Sequence, residues 1–192
     1  MARPVDSAVA QPGDGVLVQR TRNGDTSAFD ALVERYMRQA FSVAYRLMGH
    51  REDAEDLVQE AFLLALDKLD LYDESRPFKP WLFQVLVNRG LDLRKSRQRK
   101  ETVQIPGDAA APGPSPARDA EQSQTRDRVR AALSELSERD RAIVMLFEFE
   151  GLNSNEIGQV VGVAPGTVRW KLHQARKKLG AALATFQERS DR

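Results

Sequence analysis

Three groups of residues in this sequence have types and spacing that could do chemistry. The first is acidic. Within "DAEDLVQEAFLLALDKLD", at 53–70, Asp53, Asp56, Glu60 and Asp67 fall on one face of a 3.6-residue helix, opposite an Ala54/Val58/Ala61/Ala65 stripe. Clustered carboxylates can bind a cation or serve general acid–base catalysis, and an enzyme using the carboxylates of 52–60 would bind metal. Di-metal carboxylate bundles, however, add a Glu-x-x-His pair. None is present, and the nearest histidine, His50, precedes the helix. No metal or other cofactor is therefore expected. A charge run is usually a solvated face. Leu63 sits in the middle of this one, and an apolar residue ringed by acids also suits a protein partner carrying basic residues.

The second group is basic and aromatic. Tyr72, Phe78, Trp81 and Phe83 lie in and after a proline-containing loop, and the helix that follows ends in "RKSRQRK" at 94–100. Single-stranded DNA is bound by this combination, with bases stacked on rings and cations along the backbone. Core packing is the competing reading for Trp81, Phe83, Val85 and Leu86, and the favoured one for Trp81. For Arg94, Lys95, Arg97, Arg99 and Lys100, nucleic-acid contact is the better reading.

The third group is "NSNEIGQVVGVAPGTVRWKLHQARKKL" at 153–179. Asn153 and Glu156 have capping-box spacing, Gly162-Val163-Ala164 makes a tight turn, and Pro165 suits the first turn of a second helix. Ile157, Val160 and Val161 can pack on Val168 and Leu172, with Gly158 permitting close approach. This is a helix-turn-helix, whose second helix enters the DNA major groove. Arg169 and Gln174 could read guanine and adenine edges. Lys171, Arg176, Lys177 and Lys178 could neutralise phosphates. A solvated basic helix in an ordinary bundle is the bland alternative, but caps, turn and basic face agree with one another. Trp170 stands on the basic side, away from the Val168/Leu172/Ala175/Leu179 stripe, so this helix's own core does not explain it.

The elements that must position these groups are helical throughout. Phe29, Leu32, Val33, Tyr36, Ala40, Ala44 and Leu47 recur at spacings of three and four, and Ala54, Leu57, Val58, Ala61, Ala65 and Leu69 do the same. "DESRPFKP" at 73–80 interrupts the pattern, and a third helix is expected from about Trp81. Ser137 and Asp140 form a loose capping box before "RAIVMLFEFEG", with Gly151 as its C-terminal cap. The expected organisation is all-α: a disordered tail (1–14), a helical domain (15–100), a flexible linker (101–126), a second, smaller helical domain (127–184) and a tail (185–192). Four prolines and few bulky apolar residues in 101–125 leave too little surface to offset the entropy of ordering.

Of the 192 residues 41% are hydrophobic and 30% charged, yet the formal net charge is only +1, so patches of both signs coexist. With no cysteine, disulfides, thiol catalysis and zinc fingers are excluded, which fits a reducing cytoplasm. No apolar run approaches the ~20 residues of a membrane span. The N-terminus has no signal-peptide core. A cytoplasmic protein is expected.

In this order, with a loose connection between them, the pieces resemble the extracytoplasmic-function (ECF) sigma factors of bacterial RNA polymerase. "NGDTSAFDALVERY" and "DAEDLVQEAFL" resemble the start and the core-binding helix of the first sigma domain. "FKPWLFQVLVNRGLDLRKSR" resembles its promoter-melting segment, and 133–179 resembles the domain that reads the −35 element. The resemblance implies an initiation factor without catalytic chemistry. Its partners would be core polymerase, promoter DNA and an anti-sigma factor. It implies docking on the clamp helices of the largest polymerase subunit by Asp53, Asp56, Leu57, Gln59, Glu60 and Phe62, beside Leu63. It implies −10 contacts from Tyr72, Ser75, Arg76, Phe78, Lys79, Asn88, Arg94, Lys95 and Arg97. It also implies −35 contacts from Thr167, Arg169, Trp170, Lys171, His173, Gln174, Arg176 and Lys177. The linker would run through the RNA exit path.

Family members usually carry a small polar residue where Trp170 stands, and alanine is commoner at Gly90 and Gly158. Trp170 would meet either the promoter groove or, when DNA is absent, the first domain or an anti-sigma factor. A stand-alone helix-turn-helix regulator is the rival reading. It would dimerise on a palindromic site.

Overall fold

The computed structural model describes residues 12–103 and 136–190, with side chains described to residue 97 in the first segment and to 180 in the second. Residues 1–11 of the expected 1–14 tail, most of the linker and the first residues of the second domain lie outside these limits, as do the side chains of Arg99 and Lys100. The described elements are helical: α1 (Asp14–Arg22), α2 (Thr26–Met48), α3 (Arg51–Asp67), a short 3-10 turn (Leu69–Leu71), α4 (Phe78–Val103), α5 (Glu138–Glu148), α6 (Ser154–Val161) and α7 (Pro165–Ser190).

The first four helices share one core. Leu32, Tyr36, Ala40, Val43, Ala44 and Leu47 of α2 face Ala54, Leu57, Val58, Ala61 and Ala65 of α3, and α4 closes the bundle with Phe78, Leu82, Phe83, Leu86 and Val87. The periodicity expected from the sequence is the periodicity of burial. Helix α4 starts at Phe78, three residues before its expected start. Pro80 sits in its first turn, where the missing N–H had no intrahelical partner to lose.

Gly90 has a structural reason beyond helix propensity. A β-carbon there would lie 2.4 Å from one Leu47 methyl and 2.9 Å from one Leu57 methyl, so α4 crosses α2 and α3 at this point. The loop before α4 is held from α1. The Arg22 guanidinium donates to the carbonyls of Leu69 and Tyr72, both at 2.7 Å, and pairs with Glu74. Asp73 accepts from the backbone N–H of Ser75 at 3.0 Å and from its hydroxyl at 2.7 Å, an Asx-type turn.

In the second domain Ser137 caps α5 by accepting from the Asp140 N–H at 3.2 Å. Helix α5 ends at Glu148 with Phe149 as its cap, and Gly151 (φ 65°) lies two residues further on, rather than at the cap. Asn153 and Glu156 form the full capping box of α6. Gly162 adopts φ 68°, the left-handed conformation that ends α6 and turns the chain into α7. Ile157, Val160 and Val161 meet Val168, Leu172 and Ala175.

Five consecutive residues of α5, Ala142 to Leu146, are buried. At 100° per residue they span the whole circumference, so one face of α5 has a neighbour beyond its own domain. That neighbour is the first domain: α5 packs on α2 and α4, and α6 packs along α4.

A β-carbon at Gly158 would lie 2.6 Å from the Val163 carbonyl oxygen, a backbone atom that cannot swing aside. Gly158→Ala is therefore expected to lower stability by about 1–3 kcal/mol despite alanine's better helix propensity. Gly180→Ala on exposed α7, with open space around it, should raise stability by up to ~1 kcal/mol. Thermal unfolding followed by circular dichroism checks both signs.

Candidate nucleic-acid and polymerase interfaces

Three surfaces carry the residues singled out above. On α7, Val168, Leu172 and Ala175 hold the helix against its domain, which turns Arg169, Trp170, His173 and Lys177 outward. Trp170 is 60% exposed, an unusual position for an indole. Thr167 and Gln174 lie half-buried beside them. Two cations expected on this face are engaged sideways instead. Lys171 pairs with Asp140, while Arg176 donates to Glu148 at 2.9 Å and lies 5.0 Å over the Phe147 ring. Both contacts brace α7 against α5.

The outward side of α3 exposes Asp56, Gln59 and, most of all, Leu63 at 60%. Leu66 is also exposed, and helical spacing from Leu63 could have flagged it. Leu57 and Phe62 belong elsewhere. Both are buried in the first domain's core, so neither offers a side chain to a partner. Asp53 accepts two hydrogen bonds from Arg97, each 2.5 Å, and Glu60 accepts from Arg89 at 2.6 Å. Arg97 holds the Asp53 carboxyl below the usual carboxylate range. Asp53 and Arg97, expected on two different interfaces, thus form one ion pair linking α3 to α4. Among the described residues, no group of three metal-ligating side chains is close enough to hold a metal ion.

At the loop preceding α4, Tyr72 and Phe78 are buried rather than presented to a nucleic acid. They pack with Trp81 at ring separations of 5.1–5.4 Å, and Tyr36 joins at 5.6 Å from Phe78. The Tyr72 hydroxyl donates to the Arg76 carbonyl at 2.5 Å. Burial pushes the Tyr36 phenol well above its ordinary value, with Asp14 accepting its proton as the second cause. These rings shape the loop from beneath. Ser75 and Arg76 stay exposed on it, as do Asn88 and Lys95 along α4.

Two clefts flank Trp81. One of about 300 Å³ is lined by residues including Leu64, Leu71, Gln84, Asn88 and Arg89. The other, about 240 Å³, is lined by residues including Tyr72, Arg76 and Pro77, with Gln159 of α6 at its rim. Lys79 and Arg94 are only partly exposed and reach the second domain. Lys79 donates to the Glu150 carbonyl at 3.0 Å and faces its carboxylate at 3.4 Å. Arg94 pairs with Glu138 at 2.5 Å and donates to the Leu47 carbonyl at 2.5 Å. Arg22, which fixes the loop, went unnoticed in the sequence because nothing in its local spacing signals a long-range contact.

Together these features define a two-module helical protein: a bundle with a shaped aromatic loop, joined to a helix-turn-helix that displays its second helix. The comparisons agree module by module. Residues 32–100 match Sigma-70 region 2, and residues 126–179 match Sigma-70, region 4. The chain is 32% identical to the RNA polymerase sigma factor NccH of Alcaligenes xylosoxydans xylosoxydans, across 91% of this chain and 96% of that one. It is 35% identical to the ECF RNA polymerase sigma factor SigE of Mycolicibacterium smegmatis, across 84% of this chain, and spans 65% of that relative's length.

Its fold is similar to that of CnrH, solved in complex with the cytosolic domain of CnrY (TM-score 0.69, 26% identity, 90% and 97% of the two chains). It is also similar to RpoE of Bartonella quintana, solved with the anti-sigma factor NepR (TM-score 0.63, 25% identity, 81% and 96% of the two chains). The chain belongs to the ECF sigma factors of RNA polymerase. Among its described residues, no helix is long and apolar enough to cross a membrane.

The brace between α5 and α7 makes the second domain acid-sensitive. Burial pushes the Asp140 carboxyl up, but hydrogen bonds from Lys171 and Ser137 and the nearby charges of Lys171 and Lys178 outweigh it, so the net shift is downward. A depressed folded value stabilises the protein above the unfolded value, and the contribution disappears as pH falls through the folded one. The melting-temperature gap between the native chain and Asp140→Asn should therefore shrink on going from about pH 6 to about pH 3.

Proposed function

We propose that this chain binds core RNA polymerase through the outward side of α3, reads −35 duplex with α7, and opens −10 DNA with the loop at 72–77 and α4. It acts in the cytoplasm without catalytic chemistry of its own. The working modules are residues 15–100 and 127–184. The observation that carries the reading is the row Arg169, Trp170, His173 and Lys177, held outward on the second helix of a fully capped helix-turn-helix. Leu63 and Leu66, exposed on an otherwise acidic helix, support the polymerase contact. The clefts beside Trp81 support an extruded −10 base, since a base taken from the stack needs a pocket. CnrH and RpoE were solved with protein partners, and we extend to this chain the expectation of an anti-sigma factor.

Run-off transcription with core polymerase on a random promoter library tests the whole reading. Transcripts from a shared bipartite motif are expected with core present. Symmetric footprints by the chain alone, with no transcripts, would instead favour a stand-alone regulator. Within that assay, Leu63→Asp should weaken core binding at least about tenfold, as loss of a buried apolar anchor does.

Two substitutions on α7 separate base reading from phosphate contact. Trp170→Ser should change the preferred −35 base and leave the salt dependence alone. Lys177→Ala should weaken all −35 sequences alike and reduce the salt slope by about one.

A further inference from the structure

Helix α1 lies ahead of residues 32–100, the stretch matched to Sigma-70 region 2, yet its last residue holds the loop on which −10 capture depends. One terminal nitrogen of the Arg22 guanidinium donates to both the Leu69 and the Tyr72 carbonyls at 2.7 Å, and the other pairs with Glu74. Its Nε is buried, 3.7 Å from the Asp70 carboxylate. Four loop residues thus converge on one side chain that is only 20% exposed. Gln19, one turn earlier on α1, donates to the same Glu74 carboxylate. The two carbonyls bracket the 3-10 turn and its exit, so a single cation fixes where the chain leaves that turn.

What Arg22 fixes is the wall of a cleft. Leu71, Tyr72, Asp73, Arg76 and Pro77 of the loop line the cleft of about 240 Å³ beside Trp81. The loop's own bonds, from Ser75 to Asp73 and from Tyr72 to the Arg76 carbonyl, span at most four residues. They set its curl but not its place against the bundle. That place is set by the buried Tyr72 ring, through Phe78 and Trp81, and by Arg22, through α1. An arginine suits the task. Its planar fork serves two carbonyls and a carboxylate at once, which an ammonium on a flexible stem does not reproduce.

We propose that Arg22 is a positioning residue for −10 capture, holding the loop at 69–77 in the shape that receives an extruded base. It acts from a helix to which the proposed function gives no DNA contact. The proposal rests on the reading of that loop as the −10 element. A loop already in its receiving shape loses less conformational freedom on binding. Releasing it weakens capture without removing any group that touches DNA.

The test uses holoenzyme assembled from core polymerase and the full chain. The probe is the fluorescein-labelled −10 single strand of a promoter recovered by run-off transcription, with a single abasic site walked along it. The native chain should lose affinity about tenfold or more at one position, that of the extruded base. Arg22→Lys should weaken binding of the intact strand about tenfold and level the profile, so that no abasic site costs more than about twofold. Glu74→Ala, on the exposed side of the loop, should act in the same direction. Arg20→Gln, a charge lost from the same helix at a residue that pairs with Asp25, should keep the native profile.

Core affinity and −35 duplex binding should stay within about twofold of native in all three variants, and circular dichroism shows that they fold. An Arg22 that only stabilised the bundle would lower the melting temperature and leave the profile peaked. That result overturns the proposal, as does a native profile in Glu74→Ala or an equal loss of core and −35 binding. A native chain with no peak, or no promoter recovered at all, instead rejects the −10 reading itself.

Discussion

The described structure depends on α4 having two packed sides. One side supplies Phe78, Leu82, Phe83 and Leu86 to the bundle core and comes close to α2 and α3 at Gly90. The other receives α5 and α6 from the second domain. A helix packed this way positions everything near it. The aromatic loop is fixed at its N-terminal end, and Arg97 is tied to α3 through Asp53. Arg94 joins the end of α2 to the start of α5. Because the carbonyls at a helix end lack intrahelical partners, Arg94 satisfies a need of the first domain while also reaching the second.

Much of this was legible in the sequence where a helix reports on itself. The stripes of α2 and α3, the capping box at Asn153 and Glu156, and the turn at Gly162 follow from spacing and from the conformations those residues favour. So does the exposure of Trp170 and Leu63, since each falls opposite its helix's apolar stripe. What spacing could not give was the side of a residue in the loop at 72–77, where no period exists. Tyr72 and Phe78, whose types and place in the loop suit DNA contact, form the loop's floor. The family likeness implies a partner surface for Leu57 and Phe62, whereas the stripe spacing already places Leu57 inward, where both are buried. Contacts between domains were equally invisible. Lys79 with Glu150 and Arg94 with Glu138 join positions 71 and 44 residues apart, and no local pattern encodes such a match.

The ion pairs that bridge the domains lie beside an apolar contact, the side of α5 buried against the first domain. Pairs that keep some solvent contact contribute modestly and are weakened by salt. The cores within each domain, by contrast, rest on fully buried leucine, valine and phenylalanine side chains.

The exposed indole of Trp170 has a further consequence. The chain has two tryptophans, one in each domain, and their surroundings differ: Trp81 leans on Tyr72 and Phe78, while Trp170 faces solvent. Their fluorescence separates by wavelength without any label, because a solvent-facing indole emits further to the red than a packed one. The protein therefore carries a native optical probe in each of its two domains.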